Sequence, residues 1–171
     1  MEKVSASSLL DRFWNGVLPV DPRLIAEGLG MKVVPLTDGD VKKGLSGALH
    51  WHTPAGATQP QLYCRYNALT ESRERQRFTI AHEIGHYASG HMADGRTLFR
   101  DTTETFTGRV HQPEEVEANR FAAELLMPES LVNSAITHHG VKTVQDLASR
   151  FGVSASAMRW RLVNLGLLSS T

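Results

Sequence analysis

The sequence predicts an α+β domain with a small antiparallel sheet, two long helices and a helical C-terminal unit. Three observations carry that expectation. Runs with strand character, Met31 to Leu36, Leu45 to His52 and Gln61 to Tyr66, all lie in the first part of the chain. Two helical stretches follow, one around RQRFTIAHEIGHYA and one around PEEVEANRFAAELLM. From Pro128 onward only helical patterns with short glycine-containing turns occur.

The elements can be justified in order. Leu9, Leu10, Phe13 and Trp14 recur at helical spacing over Ser8 to Asn15, and Gly16 ends that run. A second helix runs from Asp21-Pro22 to Gly30, with Asp21 as cap, Pro22 in the first turn and Gly30 as stop. The three strands come next. Asp38-Gly39 reads as a turn after the first, and Thr53 to Pro60 as the loop between the other two. His50 and His52 share one face of their strand and read as exposed rather than ligating. Cys64 reads as a small packed side chain rather than a nucleophile.

The third helix is expected to start near Thr70 and to end at Gly90. Phe78, His82, Gly85 and His86 fall on one stripe of it, and Gly85 opens a gap in the side-chain wall beside the histidines. Met92 to Gln112 has no steady period and reads as a long loop with a short strand around Thr103 to Phe106. Pro113 opens the next helix, Glu114 and Glu115 suit its first turn, and Pro128 stops it. The remainder, 129–171, reads as a helical unit packed on the 1–128 core. Its stretch LASRFGVSASAMRWRLVNLGLL has the form of a helix-turn-helix.

Composition narrows the function classes. Eighteen basic residues balance 18 acids, so no general electrostatic pull draws this chain of 171 residues to nucleic acid or membrane. Cys64 is the only cysteine, which suits a reducing compartment. With no signal-like apolar run at the N-terminus and no membrane-length stretch, a soluble, cytoplasmic protein is expected. From Val141 onward four basic residues face one acid, a net of +3. That weak bias over 141–168 favours docking or structural support over DNA reading.

The chemistry is concentrated in His82-Glu83-x-x-His86. Histidines four apart on a helix stand one above the other and can converge on a single metal. Glu83 lies beside that pair, where a carboxylate can take a proton from activated water instead of binding the ion. Imidazoles, a carboxylate and an open position are the usual set for catalytic zinc. His91 does not complete the longer histidine motif, which needs glycine and histidine where Ser89 and Met92 stand, so it reads as a helix-end residue. Glu114, Glu117, Phe121 and Glu124 share a face of the following helix, so spacing alone does not settle which acid is nearest the metal. Glu117 is preferred because Ala118 and Ala122 beside it permit a close helix approach, with Glu124 as its main rival. Glu114 and Glu115 are already accounted for by the helix dipole.

RQRFTIAHEIGH followed by EVEANRFAAELLMP closely resembles the ImmA/IrrE family of metallopeptidases, over about Asp21 to Leu168. The resemblance implies a zincin-like core, a bound Zn2+, and a narrow-specificity peptidase acting in the cytoplasm of a bacterium or phage host. It implies His82, His86 and Glu117 as zinc ligands and Glu83 as general base. The implied partner is a protein substrate, a helix-turn-helix repressor or antitoxin encoded nearby, with the chain either cleaving the repressor or acting as the toxin of a toxin–antitoxin pair. Tyr87, His91, His111 and the loop arginines are all candidates to stabilise the oxyanion. The competing expectation is a DNA- or partner-binding regulator whose metal site is structural or vestigial. The intact Glu83 speaks against it, because a structural zinc has no use for a base.

Overall fold

The computed structural model describes residues 3–92, 99–102 and 112–169. The elements, in order, are α1 (Ala6–Phe13), α2 (Pro22–Gly28), β1 (Lys32–Pro35), α3 (Asp38–Lys42), β2 (Leu45–His52), β3 (Gln61–Tyr66), α4 (Arg73–Ala88), β4 (Phe99–Thr102), α5 (Pro113–Leu126), α6 (Glu129–Thr137), α7 (Val144–Phe151) and α8 (Ala155–Asn164). The α+β class is as expected. Among the described residues no helix is long and apolar enough to cross a membrane.

Local chemistry explains most boundaries. Asp21 caps α2 by accepting from the Arg23 N–H, and Pro22 stands in the first turn. Asp38-Gly39 is a helix start rather than a turn: the Thr37 side chain accepts from the Asp40 N–H, and Asp38 and Asp40 favour the positive end of α3. The cap of α4 is Ser72, not Thr70. Thr70 is taken into a preceding turn, where Asn67 Oδ1 accepts from its N–H and Asn67 Nδ2 donates to its hydroxyl at 2.8 Å. Thr103 to Phe106, expected as a strand, lies outside the described residues, whereas β4 forms just before it.

The sheet order is β1-β3-β2-β4. β2 runs antiparallel to both β3 and β4, but β1 runs parallel to β3, from Lys32↔Tyr63 to Pro35↔Tyr66. The sheet is therefore mixed, which corrects the antiparallel expectation. Alternation of apolar residues marks a strand without fixing its partner. Here β2 crosses to the far side of β3 and leaves β1 no antiparallel neighbour.

Helix α4 is the centre of the molecule. Every residue from Thr79 to His86 is buried, because the sheet, α2 and α5 all pack around it. Gly85 permits the α5 contact: a Cβ there would stand 2.9 Å from the Ala118 carbonyl oxygen and 3.0 Å from its Cα. The glycine therefore serves a close helix crossing, not an open gap in the wall. Gly85→Ala gains roughly 1 kcal/mol of helix propensity, yet it pushes against backbone that cannot rotate away. A net loss of stability of about 1–3 kcal/mol is expected from overpacking. Urea unfolding checks this, and a midpoint at or above wild type would refute it.

The C-terminal helices share that core. Leu147, Ala148, Phe151, Val153, Met158 and Leu162 belong to the same buried cluster as Ile80, Ala81 and Ile84. Two guanidinium contacts, one part-buried and one buried, tie the segments together. Arg77 Nε donates to the Gly152 carbonyl at 3.0 Å, and Arg161 Nε donates to the Met127 carbonyl at 3.0 Å. Pro128 thus divides the chain without dividing the hydrophobic core.

Candidate metal centre

Helix α4 presents His82, Glu83 and His86, all fully buried. Their partner on α5 is Glu115, only 6% exposed. His82 Nε2 stands 3.1 Å from Glu115 Oε2, His86 Nε2 stands 3.4 Å from Glu115 Oε1, and the two Nε2 atoms are 3.0 Å apart. Ligand atoms of these three residues all lie within 4.8 Å of one another, so one ion can reach all three.

Glu117, the expected third ligand, is not brought to this pair. Its carboxylate accepts from Lys3 Nζ at 2.8 Å and meets His91 Nε2 at 3.1 Å, and its side chain is 42% exposed. The Lys3 hydrogen bond is the main cause holding its carboxyl below the ordinary value. Glu124, the rival, pairs with Arg120 at 3.0 Å. The physical reason is helical phase. Residues three and seven after Glu115 are Ala118 and Ala122, both buried, so Glu115 lies on the face that enters the crossing. Glu117 lies two residues on, turned about 200° away. The small-residue face was the right signal, and reading back from Ala118 by one turn finds the acid on it. An acid in the first turn can favour the dipole and still reach a neighbouring helix.

The outer atoms of the histidines are also engaged. His82 Nδ1 is 3.0 Å from Asn119 Oδ1, which can only accept, so this ring nitrogen carries a proton and neutral His82 keeps the Nε2 lone pair for an ion. His86 Nδ1 is 2.9 Å from His91 Nδ1. For Glu115, burial is the largest influence and pushes the carboxyl up. Hydrogen bonds from His82 and His86, where those rings donate, outweigh it and bring it down to about 2. As a ligand Glu115 would serve in its carboxylate form. Two imidazole nitrogens and one ionised carboxylate, with protonated or partnered Nδ1 atoms behind them, form a donor set that fits a divalent metal.

The Glu83 carboxylate lies against β2. A Cβ on Gly47 would collide with Glu83 Oε1 and with the Thr79 methyl, so the carboxylate occupies room that only glycine leaves. Nothing about Gly47 in the sequence marks this role; it follows from how β2 lies over α4. His50 and His52 remain on β2 beside Tyr63, with ring centroids 5.7 and 5.8 Å from it, and neither joins the three-residue group. Cys64 is buried in the core cluster. His111 lies outside the described residues.

The model of the IrrE N-terminal-like domain matches residues 26–163 of this chain. The chain belongs to the ImmA/IrrE family. Two radiation response metalloproteases IrrE, from Deinococcus radiodurans and Deinococcus deserti, are each 37% identical to it over 92 residues. That match takes in 52% of this chain and 27% and 32% of those proteins. The metallopeptidase ImmA of Bacillus subtilis is 24% identical over 102 residues, 60% of this chain and 57% of that protein. The matches thus take in between about a quarter and just over half of these ImmA/IrrE relatives. The names of all three relatives denote metalloproteases or metallopeptidases, in keeping with a metal-binding donor set at the centre of the fold.

Proposed function

We propose that this chain is a zinc-dependent endopeptidase of narrow specificity with a zincin-like core. In this reading His82, His86 and Glu115 hold the metal and Glu83 is the general base. The observation that carries it is the convergence of two histidine Nε2 atoms and a buried carboxylate, next to a second buried carboxylate that is not among the three. A bound zinc ion supplies Lewis acidity, polarising a carbonyl and acidifying water. Glu83 takes one proton from the attacking water as the new C–O bond forms. It then delivers that proton to the amine as the C–N bond breaks, and transfer of the remaining acid proton leaves one carboxylate and one ammonium group.

The substrate we propose is a helix-turn-helix repressor or antitoxin encoded beside this gene, met in the cytoplasm. The metallopeptidase relatives and the family resemblance support that reading, and α7 and α8 offer a docking unit next to the core. The test is intact-mass analysis of the neighbouring repressor after incubation with zinc-loaded protein. One defined cut supports the proposal. An uncut repressor, with zinc shown to be bound and with a specific DNA complex formed by this chain alone, would turn the reading to a regulator with a structural metal.

Gly47 offers a second check. Gly47→Ala forces the Glu83 carboxylate from its place while leaving the three ligands untouched. A displacement on the order of 1 Å costs about 100-fold in turnover. Zinc content should be unchanged and kcat should fall by that order. Wild-type kcat in a correctly folded variant would show that the Glu83 position is not critical.

A further inference from the structure

The end of α4 carries a second layer of the site. Ser89 is the last cap of the helix, Gly90 follows at φ +79°, and the chain then folds back. The His91 N–H donates to the His86 carbonyl at 3.0 Å and the Gly90 N–H to the Tyr87 carbonyl at 3.1 Å. This pair of bonds is the Schellman arrangement, which brings the residue after the left-handed glycine onto the residue five before it. That contact is ordinarily hydrophobic. Here it is imidazole on imidazole, His91 on His86, with ring centroids 5.2 Å apart.

The hydrogen-bond directions follow from the end of the chain of contacts. Lys3 Nζ can only donate, so Glu117 accepts from it at 2.8 Å as a carboxylate. The same carboxylate accepts from His91 Nε2–H at 3.1 Å. A neutral His91 protonated at Nε2 has a bare Nδ1, which must accept from His86 Nδ1–H across 2.9 Å. His86 then keeps its Nε2 lone pair on the Glu115 side. We propose that His91 and Glu117 are positioning residues that fix the metal-binding tautomer of His86, so that Glu117 acts behind the site rather than in it. His82 has a neutral amide, Asn119, in the equivalent place. The two histidines are thus supported differently: one by an amide, the other through a second imidazole to a carboxylate at the surface.

This inference rests on the metal site proposed above, and the experiment separates the two. Zinc affinity is measured by competition with a chromophoric chelator for wild type, His91→Phe, His91→Gln and Glu117→Ala. Loss of such outer partners weakens a metal site by about 10–100-fold. That loss is expected for His91→Phe and Glu117→Ala, with substantial recovery in His91→Gln, whose amide oxygen can accept from His86. Nitrogen NMR of the zinc-loaded wild type should show His86 protonated at Nδ1 and His91 protonated at Nε2. Wild-type affinity in both His91→Phe and Glu117→Ala, or His91 protonated at Nδ1, overturns the relay and leaves the metal site standing. Failure of wild type itself to bind zinc overturns both.

Discussion

Glu83→Gln is expected to keep zinc and to lose cleavage. Glutamine has nearly the same shape as the carboxylate, so Gly47 and Thr79 can still enclose it, and the proposed ligands His82, His86 and Glu115 are unchanged. What disappears is the group that accepts a proton from attacking water and returns it to the leaving amine. General acid–base catalysis of this kind contributes about 10²–10⁴-fold. A loss of that size in kcat is expected, with KM nearly constant because the residue acts in the chemical step. Zinc content by elemental analysis and cleavage of the neighbouring repressor by mass spectrometry measure the two halves. Undiminished cutting by a zinc-loaded Glu83→Gln protein would remove Glu83 from the mechanism.

The sharper contrast lies between two acids two positions apart. Glu115→Ala should leave the protein without tightly held zinc, because a ligand is gone and the two histidines alone make a poor site. Glu117→Ala should stay loaded at micromolar zinc, weakened only by the 10–100-fold that an outer partner contributes. Thermal unfolding gives a readout independent of activity. A ligand present at about 100 times its dissociation constant stabilises the native state by about 2.7 kcal/mol. Wild type and Glu117→Ala should gain stability when zinc is added in such excess over their own dissociation constants, and Glu115→Ala should not respond at wild-type-saturating zinc. The reverse result, a responsive Glu115→Ala and an unresponsive Glu117→Ala, would restore Glu117 as the ligand.

Both experiments turn on where the sequence speaks plainly and where it does not. A pattern within one element is legible because helix geometry is fixed. His82 and His86 must share a face, and Glu83 must lie beside them, whatever surrounds the helix. The strands Leu45–His52 and Gln61–Tyr66 and the cap Asp21 are local in the same sense. The tertiary structure decided every question that needed two elements at once. β1 turned out parallel because its neighbour is β3, and strand partnership is not written in either strand. Gly47 matters only because β2 crosses the Glu83 carboxylate. The third acid followed the face that α5 turns to α4, set by Gly85 against Ala118. One residue along a helix rotates a side chain by about 100°, so a choice between Glu115 and Glu117 depends on docking phase, which only packing supplies.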